Sequence, residues 1–210
     1  MTDANVVPGL EPGRVELVRD RLAGREWHEV TVAELAEAAG VSRMTLHRRG
    51  IGKDDVLRQL GELLLQDHRD AMYPALVAPG DGRVRLRLAL EGLCAVNERY
   101  LGVLDALGEQ AYEVFHDTGD GAVLTREPFT AGLRRILEDG GADGTLRGGS
   151  DLDDEATLLF NAAGWTYRHM RTGHRWAPER ARAAVVDLLL HGSLLPSTGQ
   201  PSDDATGSTS

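Results

Sequence analysis

The chain has 210 residues, of which 41% are hydrophobic and 27% charged, so its composition is that of a globular protein rather than a disordered or fibrous one. Its 23 basic and 33 acidic residues give a formal net charge of −10, which taken alone argues against a nucleic-acid partner. No uncharged apolar run approaches the roughly 20 residues of a membrane helix. The single cysteine, Cys94, excludes an intrachain disulfide, and the N-terminus lacks the basic and apolar regions of an export signal. We therefore expect a cytoplasmic protein.

The charge is unevenly distributed along the chain. Residues 14–60 contain nine basic and eight acidic residues, and within them the segment 43–58 has five basic against two acidic ones. Residues 61–210 contain fourteen basic and twenty-three acidic residues. A short basic segment is therefore attached to an acidic body, which the total charge conceals.

Helical periodicity dominates the sequence, and Gly or Pro clusters separate the periodic runs. The predicted fold class is therefore all-α. Helices are expected over 13–23, 32–39, 43–49, 54–77, 84–107, 109–116, 127–139, 152–172 and 178–191. Residues 1–13 are expected to form a disordered arm, and residues 196–210 a disordered tail because they contain no large apolar side chain.

Residues 31–53 predict a helix-turn-helix. Thr31 and Glu34 have the spacing of a capping box, and the helix that follows is expected to bury Val32, Leu35, Ala36 and Ala39. Gly40 suits a tight turn, and Ser42 is a favourable N-cap for a second helix. The two helices and their short turn match the arrangement that many proteins insert into the DNA major groove.

The second of these helices would bury Leu46 and leave mostly basic side chains exposed. Arginine suits guanine edges and phosphates, and threonine suits phosphates or the thymine methyl group. The candidate DNA-binding residues of the segment are Thr31, Ser42, Arg43, Met44, Thr45, His47, Arg48, Arg49 and Lys53.

The run LAEAAGVSRMTLHRR, with Lys53 and Val56 after it, resembles the DNA-binding domain of TetR-family transcriptional regulators. The sequence departs from the family pattern at three positions. His47 replaces a tyrosine that usually contacts phosphate, Arg49 replaces a histidine, and Gly50 replaces a packed aromatic whose space Ile51 could fill. The resemblance implies that Thr31 and Lys53, with the backbone amides at the starts of their helices, anchor phosphates.

The resemblance also implies a three-helix DNA-binding domain over residues 14–60 and a helical-bundle domain for effector binding and dimerisation over 61–195. A repressor would bind a palindromic operator as a homodimer and would be released by a small molecule. The second domain has no excess of basic residues, which favours an apolar or cationic effector over a polyanion. Candidate pocket residues are Tyr100, Tyr112, His116, Phe129, Trp165 and His169. Candidate dimer-interface residues are Leu159, Ala163, Tyr167, Ala181, Val185, Leu188 and Leu189.

Two alternatives remain at this point. An enzyme is disfavoured because the sequence contains no familiar catalytic or phosphate-loop motif and no two histidines four residues apart, so no catalytic residue, metal or cofactor is predicted. A helical interaction or ligand-binding protein could use the helix-turn-helix only for packing. That alternative gives little reason for Arg43, His47, Arg48 and Arg49 to be exposed together.

Overall fold

The computed structural model describes residues 9–104, 106–107, 127–147, 149 and 151–194. Within these ranges every regular element is helical, as predicted, and a short 3₁₀ turn at Trp27–Glu29 precedes the second helix. The α-helices are α1 (Pro12–Arg21), α2 (Val32–Ala38), α3 (Arg43–Arg49), α4 (Lys53–Val77), α5 (Gly82–Tyr100), α6 (Glu127–Ala142), α7 (Leu152–Thr172) and α8 (Pro178–Leu194).

The main difference from the predicted helices is at the end of α5. The sequence predicts a helix to residue 107, whereas α5 ends at Tyr100 and the chain turns through residues 101–103. The turn has a structural reason, because the carbonyl of Gly102 accepts a hydrogen bond from the backbone N–H of Trp27 at 2.9 Å. The predicted helix 109–116 and the predicted tail 196–210 lie outside the described residues.

A first hydrophobic core joins α1, α2, α3 and the start of α4. Val18, Leu35, Leu46 and Val56 are buried in it, together with Tyr100 from the end of α5. Val32, by contrast, is exposed rather than buried as predicted, because it lies in the first turn of α2 on the side away from this core.

The described part of the predicted N-terminal arm belongs to the same core. Leu10 is buried, and its backbone N–H and C=O each form a 2.8 Å hydrogen bond with the side-chain amide of Gln59 on α4. Helix α1 begins at Pro12, where proline is well tolerated because the first N–H of a helix has no intrahelical partner. Ordered structure therefore begins before the expected boundary at residue 14.

A second core fills the space between α4, α5, α6, α7 and α8. Leu86, Leu90, Leu133, Ile136 and Ala156 are buried in it without measurable exposure. Helix α4 contributes to both cores, so the expected boundary at residues 60 and 61 falls within one continuous helix. A movement of α4 would therefore change the packing of both cores.

Candidate nucleic-acid interface

Helix α2 begins with the capping box that the sequence predicts. The backbone N–H of Glu34 donates to the Thr31 hydroxyl oxygen at 3.2 Å, and the Glu34 carboxylate accepts from the Thr31 N–H at 2.9 Å. The Thr31 N–H and the Thr31 hydroxyl, which donates to the same carboxylate at 2.8 Å, hold the pKa of Glu34 below its usual value. The carboxylate thus occupies the positive end of the helix, where an anion is favoured.

The turn between α2 and α3 also follows the sequence prediction. Gly40 has a φ of +65°, which is strained for residues other than glycine, and the N–H of Val41 then reaches back to the carbonyl of Ala36 at 2.9 Å. The Ser42 hydroxyl caps α3 by accepting from the N–H of Thr45 at 3.0 Å. Leu46 is buried, which fixes the face that α3 turns towards solvent.

The solvent-facing side of α3 carries three arginines that have no partner among the described residues. Arg43, Arg48 and Arg49 are all exposed, and none has a hydrogen bond or ion pair within the part of the chain that the structure describes. Met44 is 73% exposed beside them, and His47 is exposed too. An exposed methionine flanked by free guanidinium groups is typical of a surface that contacts a partner rather than of a solvated helix face.

The other arginines of the same region are engaged within the chain. Arg14 and Arg21 donate to backbone carbonyls, Arg19 pairs with Asp67, and Arg25 pairs with Glu34. Arg58 pairs with acidic residues on its own helix. Charge that is free for a phosphate or a base is thereby concentrated on α3.

Lys53 is positioned differently from the arginines of α3. Its Nζ lies 3.3 Å from the carbonyl oxygen of His28 and 5.2 Å from the centre of the Trp27 ring, so the ammonium group folds back on the 3₁₀ turn. The start of α4 also holds a carboxylate, since Asp55 accepts from the N–H of Gly52 at 2.8 Å. Both helix starts that the resemblance assigns to phosphates, α2 and α4, therefore already hold a carboxylate, and Thr31 and Lys53 are both engaged within the chain.

The departures from the family pattern after α3 have a local explanation. Gly50 adopts a left-handed φ of +64° and ends α3, a conformation in which glycine is the least strained residue. Ile51 is buried in the first core, which is consistent with its predicted role in filling the space of the missing aromatic.

The four predicted effector residues that the structure describes lie in different surroundings. Tyr100 is buried at the contact between α5 and the first core, where its hydroxyl donates to Asp67 at 2.8 Å. Phe129 lies in the interior, whereas His169 is exposed and Trp165, 62% exposed, lies under the guanidinium of Arg168. Tyr112 and His116 lie outside the described residues.

His68 is an interior polar residue that the sequence interpretation missed. It is buried on α4, with its ring centre 5.0 Å from that of Phe129 and 5.9 Å from that of Phe160. Burial lowers the pKa of His68 to about 4, against the opposing effect of a hydrogen bond to the backbone of Phe129. Its only sequence signal is a position on the apolar side of the α4 pattern.

The predicted dimer residues are mostly unavailable to a partner. Ala163, Tyr167, Ala181 and Val185 are buried in the second core of the chain itself, and the Tyr167 hydroxyl donates to Glu98 at 2.7 Å. The apolar stripe of each helix packs within the chain, where α4 to α6 and the other helix of the pair cover it. Leu159 and Leu189 are half-buried, whereas Leu188 is 65% exposed.

Other apolar side chains of α7 and α8 do face solvent. Leu158 is 69% exposed and lies seven residues, or two turns, before the exposed Trp165. Next to Leu158, a cavity of about 200 Å³ opens between α6, α7 and α8 and contains none of the predicted effector residues. Its lining residues are Leu137, Leu146, Arg147, Glu155, Leu158, Leu159, Ala162 and Leu189.

The architecture is shared with solved structures of transcriptional regulators. The TetR-family regulator PfmR from Thermus thermophilus is 20% identical, with a TM-score of 0.60 over 85% of this chain and 97% of that one. A transcriptional regulator from Saccharomonospora viridis in complex with choline is 20% identical, with a TM-score of 0.61 over 87% and 97%. FadR from Bacillus subtilis in complex with stearoyl-CoA is 16% identical, with a TM-score of 0.56 over 85% and 97%.

The chain has the TetR-regulator fold. No protein-family model and no curated protein matches its sequence, so the likeness is one of structure. No described helix is long and apolar enough to cross a membrane. The described residues also contain no group of three or more side chains suited to a metal ion.

Proposed function

We propose that the protein is a DNA-binding transcriptional regulator of the TetR family that represses transcription from a palindromic operator in the cytoplasm. The observation that carries this proposal is the set of free arginines on α3. Arg43, Arg48 and Arg49 are exposed and unpaired within the described residues, whereas every other arginine and lysine described between residues 14 and 60 is engaged within the chain. An enzyme, or a protein that uses the helix-turn-helix only for packing, would not explain why the unpaired arginines of this region all lie on α3.

Individual residues of α3 are assigned different tasks. Arg43 lies in the first turn of α3, next to the exposed Met44, and is our candidate for reading a base edge. Arg48 and Arg49 lie in the last turn and suit the phosphate backbone. His47, exposed on the same helix, would contribute a further phosphate contact.

Recognition of a palindromic operator also requires two copies of the helix-turn-helix formed by α2 and α3. Two recognition helices must reach half-sites about one DNA turn apart, so the functional unit is expected to be a homodimer. We assign its interface to the exposed residues Leu158, Trp165 and Leu188 on α7 and α8, in place of the residues that the chain buries in its own core. Exposed apolar side chains of this size mark interaction surfaces when they occur together.

A small molecule that binds the C-terminal helices would control DNA binding. It acts only if its affinity differs between the DNA-binding conformation and another one. The solved neighbours carry choline in one case and stearoyl-CoA in another, which shows how widely ligands differ within this architecture. The excess of acidic residues after residue 60 favours an apolar or cationic effector for this chain.

Selection of duplexes from a random pool, followed by titration of a selected duplex and a scrambled one, tests the proposal. Arg43→Ala should weaken binding to the selected duplex by about tenfold or more and relax specificity at one position. In the unaltered protein, Lys53 would leave Trp27 and the His28 carbonyl to contact a phosphate when DNA binds. Lys53→Ala should therefore weaken binding to both duplexes and reduce its salt dependence. Arg87→Ala, an exposed arginine of α5, is the control. Equal affinity of the unaltered protein for both duplexes at physiological salt would contradict the proposal.

A further inference from the structure

The C-terminal end of α2 points its carbonyl groups at two arginines of α1. The Nη1 atom of Arg21 donates to the carbonyls of Glu37 and Ala38, both at 3.1 Å. The Nη1 atom of Arg14 donates to the next two carbonyls, those of Ala39 at 2.8 Å and Gly40 at 3.0 Å. Two guanidinium groups thus contact four consecutive carbonyls where α2 ends and the turn begins.

These contacts meet a requirement that every helix end has. The last carbonyls of a helix have no intrahelical partner, and they form the negative end of the helix dipole. Charge-assisted hydrogen bonds from arginine satisfy both conditions at once. Helix α2 has seven residues, so its own hydrogen bonds contribute little to its stability, and its position depends on such contacts.

The small residues at the end of α2 are part of the same arrangement. Ala38 and Ala39 are buried in the first core, together with Val15 and Val18 from α1. Their size lets the α2 end pack closely on α1, so that the guanidinium groups reach the backbone rather than another side chain. Only residues 39–42 separate α2 from α3. Fixing the end of α2 therefore fixes where α3 starts.

We propose that Arg14 and Arg21 are positioning residues for DNA recognition, which hold the turn between α2 and α3, and hence α3 itself, against α1. This inference rests on the proposed function. It assigns the two arginines no contact with DNA, because their guanidinium groups face carbonyls of their own chain. Under this proposal the arginines of α3 contact DNA, whereas Arg14 and Arg21 of α1 hold α3 in position.

The variants Arg14→Met and Arg21→Met, titrated with the selected and scrambled duplexes over a range of salt concentrations, test the inference. We expect about a tenfold loss of affinity for the selected duplex in each variant. Affinity for the scrambled duplex should stay within about twofold, and the salt dependence of its binding should not change, because no phosphate contact is lost. Arg87→Met removes an exposed arginine of α5, outside the helix-turn-helix, and should change neither affinity.

Lysine variants keep the test valid if a methionine variant fails to fold. Arg14→Lys and Arg21→Lys retain the charge but lose the planar fork of donors, so they should keep the scrambled-duplex affinity while recovering only part of the selectivity. Thermal unfolding shows which variants fold and identifies a temperature at which those variants are folded. The titrations are done at that temperature.

Three outcomes would overturn the inference. An equal loss on both duplexes, with the salt slope reduced by about one, would make the arginines phosphate contacts. Full selectivity in all the Met and Lys variants would mean that the carbonyl contacts do not position α3. If the unaltered protein itself prefers no duplex, the proposed function fails and the inference fails with it. If the unaltered protein is selective and the variants are equally so, only the inference fails.

Discussion

Arg19 of α1 donates to the carboxylate of Asp67 on α4 at 2.7 Å, and each side chain is only 12% exposed. The same carboxylate oxygen accepts from the Tyr100 hydroxyl at 2.8 Å and lies 3.5 Å from Arg99, both on α5. Burial and then the hydrogen bond to Asp67 raise the pKa of Tyr100 well above its usual value, so the phenol remains a donor at any physiological pH. One carboxylate therefore joins α1, α4 and α5 at the contact between the two cores.

Removing that carboxylate should destabilise the whole chain. Asp67→Ala removes one of the two carboxylates that pair with the largely buried Arg19, leaving only the exposed Asp20 at 2.8 Å. It also removes the acceptor of the Tyr100 hydroxyl, so the variant should lose about 2 kcal/mol. The double variant Arg19→Met with Asp67→Leu should recover much of this loss, because it removes both charges together. Urea unfolding measures the free energies, with Asp70→Ala on the exposed side of α4 as the control. A loss no larger than that of Asp70→Ala would show that the cluster contributes little.

Gly102, in the turn after α5, contacts the segment between α1 and α2, and an alanine there should not be tolerated. A Cβ atom on Gly102 would overlap the backbone oxygen of Arg25, so the 101–103 turn must shift and lose its hydrogen bond with Trp27. We expect Gly102→Ala to lower the free energy of unfolding by about 2 kcal/mol. Gly13→Ala is the matched control, because a Cβ there meets nothing within 4 Å and alanine favours the helix. Similar free energies for the two variants would contradict the close contact.

The helix-turn-helix over residues 31–53 could be predicted in detail from the sequence because its signals are local. The Thr31–Glu34 cap, the Gly40 turn and the Ser42 cap each involve residues five positions apart or fewer, and all three are confirmed. The exposure of the α3 arginines follows from the burial of Leu46 alone.

Long-range relationships could not be predicted in the same way. Arg19 and Asp67 are 48 residues apart in sequence, and no local pattern indicates that they pair. The apolar stripes of α7 and α8 were found, but periodicity shows that a face is covered and not by which surface. For that reason Tyr167 and Val185 were expected at a dimer interface and are buried in the core of the chain instead.

The exposed apolar residues of α7 and α8 give a direct test of dimerisation. A glutamate at an interface centre would be desolvated without a partner, so Leu188→Glu and Trp165→Glu should shift the protein to a monomer at micromolar concentration. Light scattering after size exclusion measures the mass. Tyr73→Glu is the control, since Tyr73 is a large exposed residue on α4, outside the proposed interface. A dimer that survives both α7 and α8 variants would place the interface elsewhere, whereas a monomeric unaltered protein would contradict dimerisation itself.

The stability of the protein should depend on pH through His68. Burial holds its pKa at about 4 in the folded chain, whereas a histidine in an unfolded chain titrates near 6.5. Between these values the unfolded chain binds a proton that the folded chain does not, so stability is fully present above about pH 6.5 and declines as the pH falls. From pH 7 to pH 5 the loss should be about 2 kcal/mol, in a range that lies above the usual carboxylate pKa values.

The variant His68→Leu isolates this contribution from other titrating groups. Leucine suits the apolar surroundings formed by Phe129 and Phe160, so the variant should fold, and its free energy of unfolding should change little between pH 7 and pH 5. The exposed His28 provides the comparison, because His28→Leu should retain the full decline of the unaltered protein. Urea unfolding at half-unit pH intervals measures all three proteins. An equal decline in the unaltered protein and in His68→Leu would show that the histidine is not the group whose protonation opposes folding.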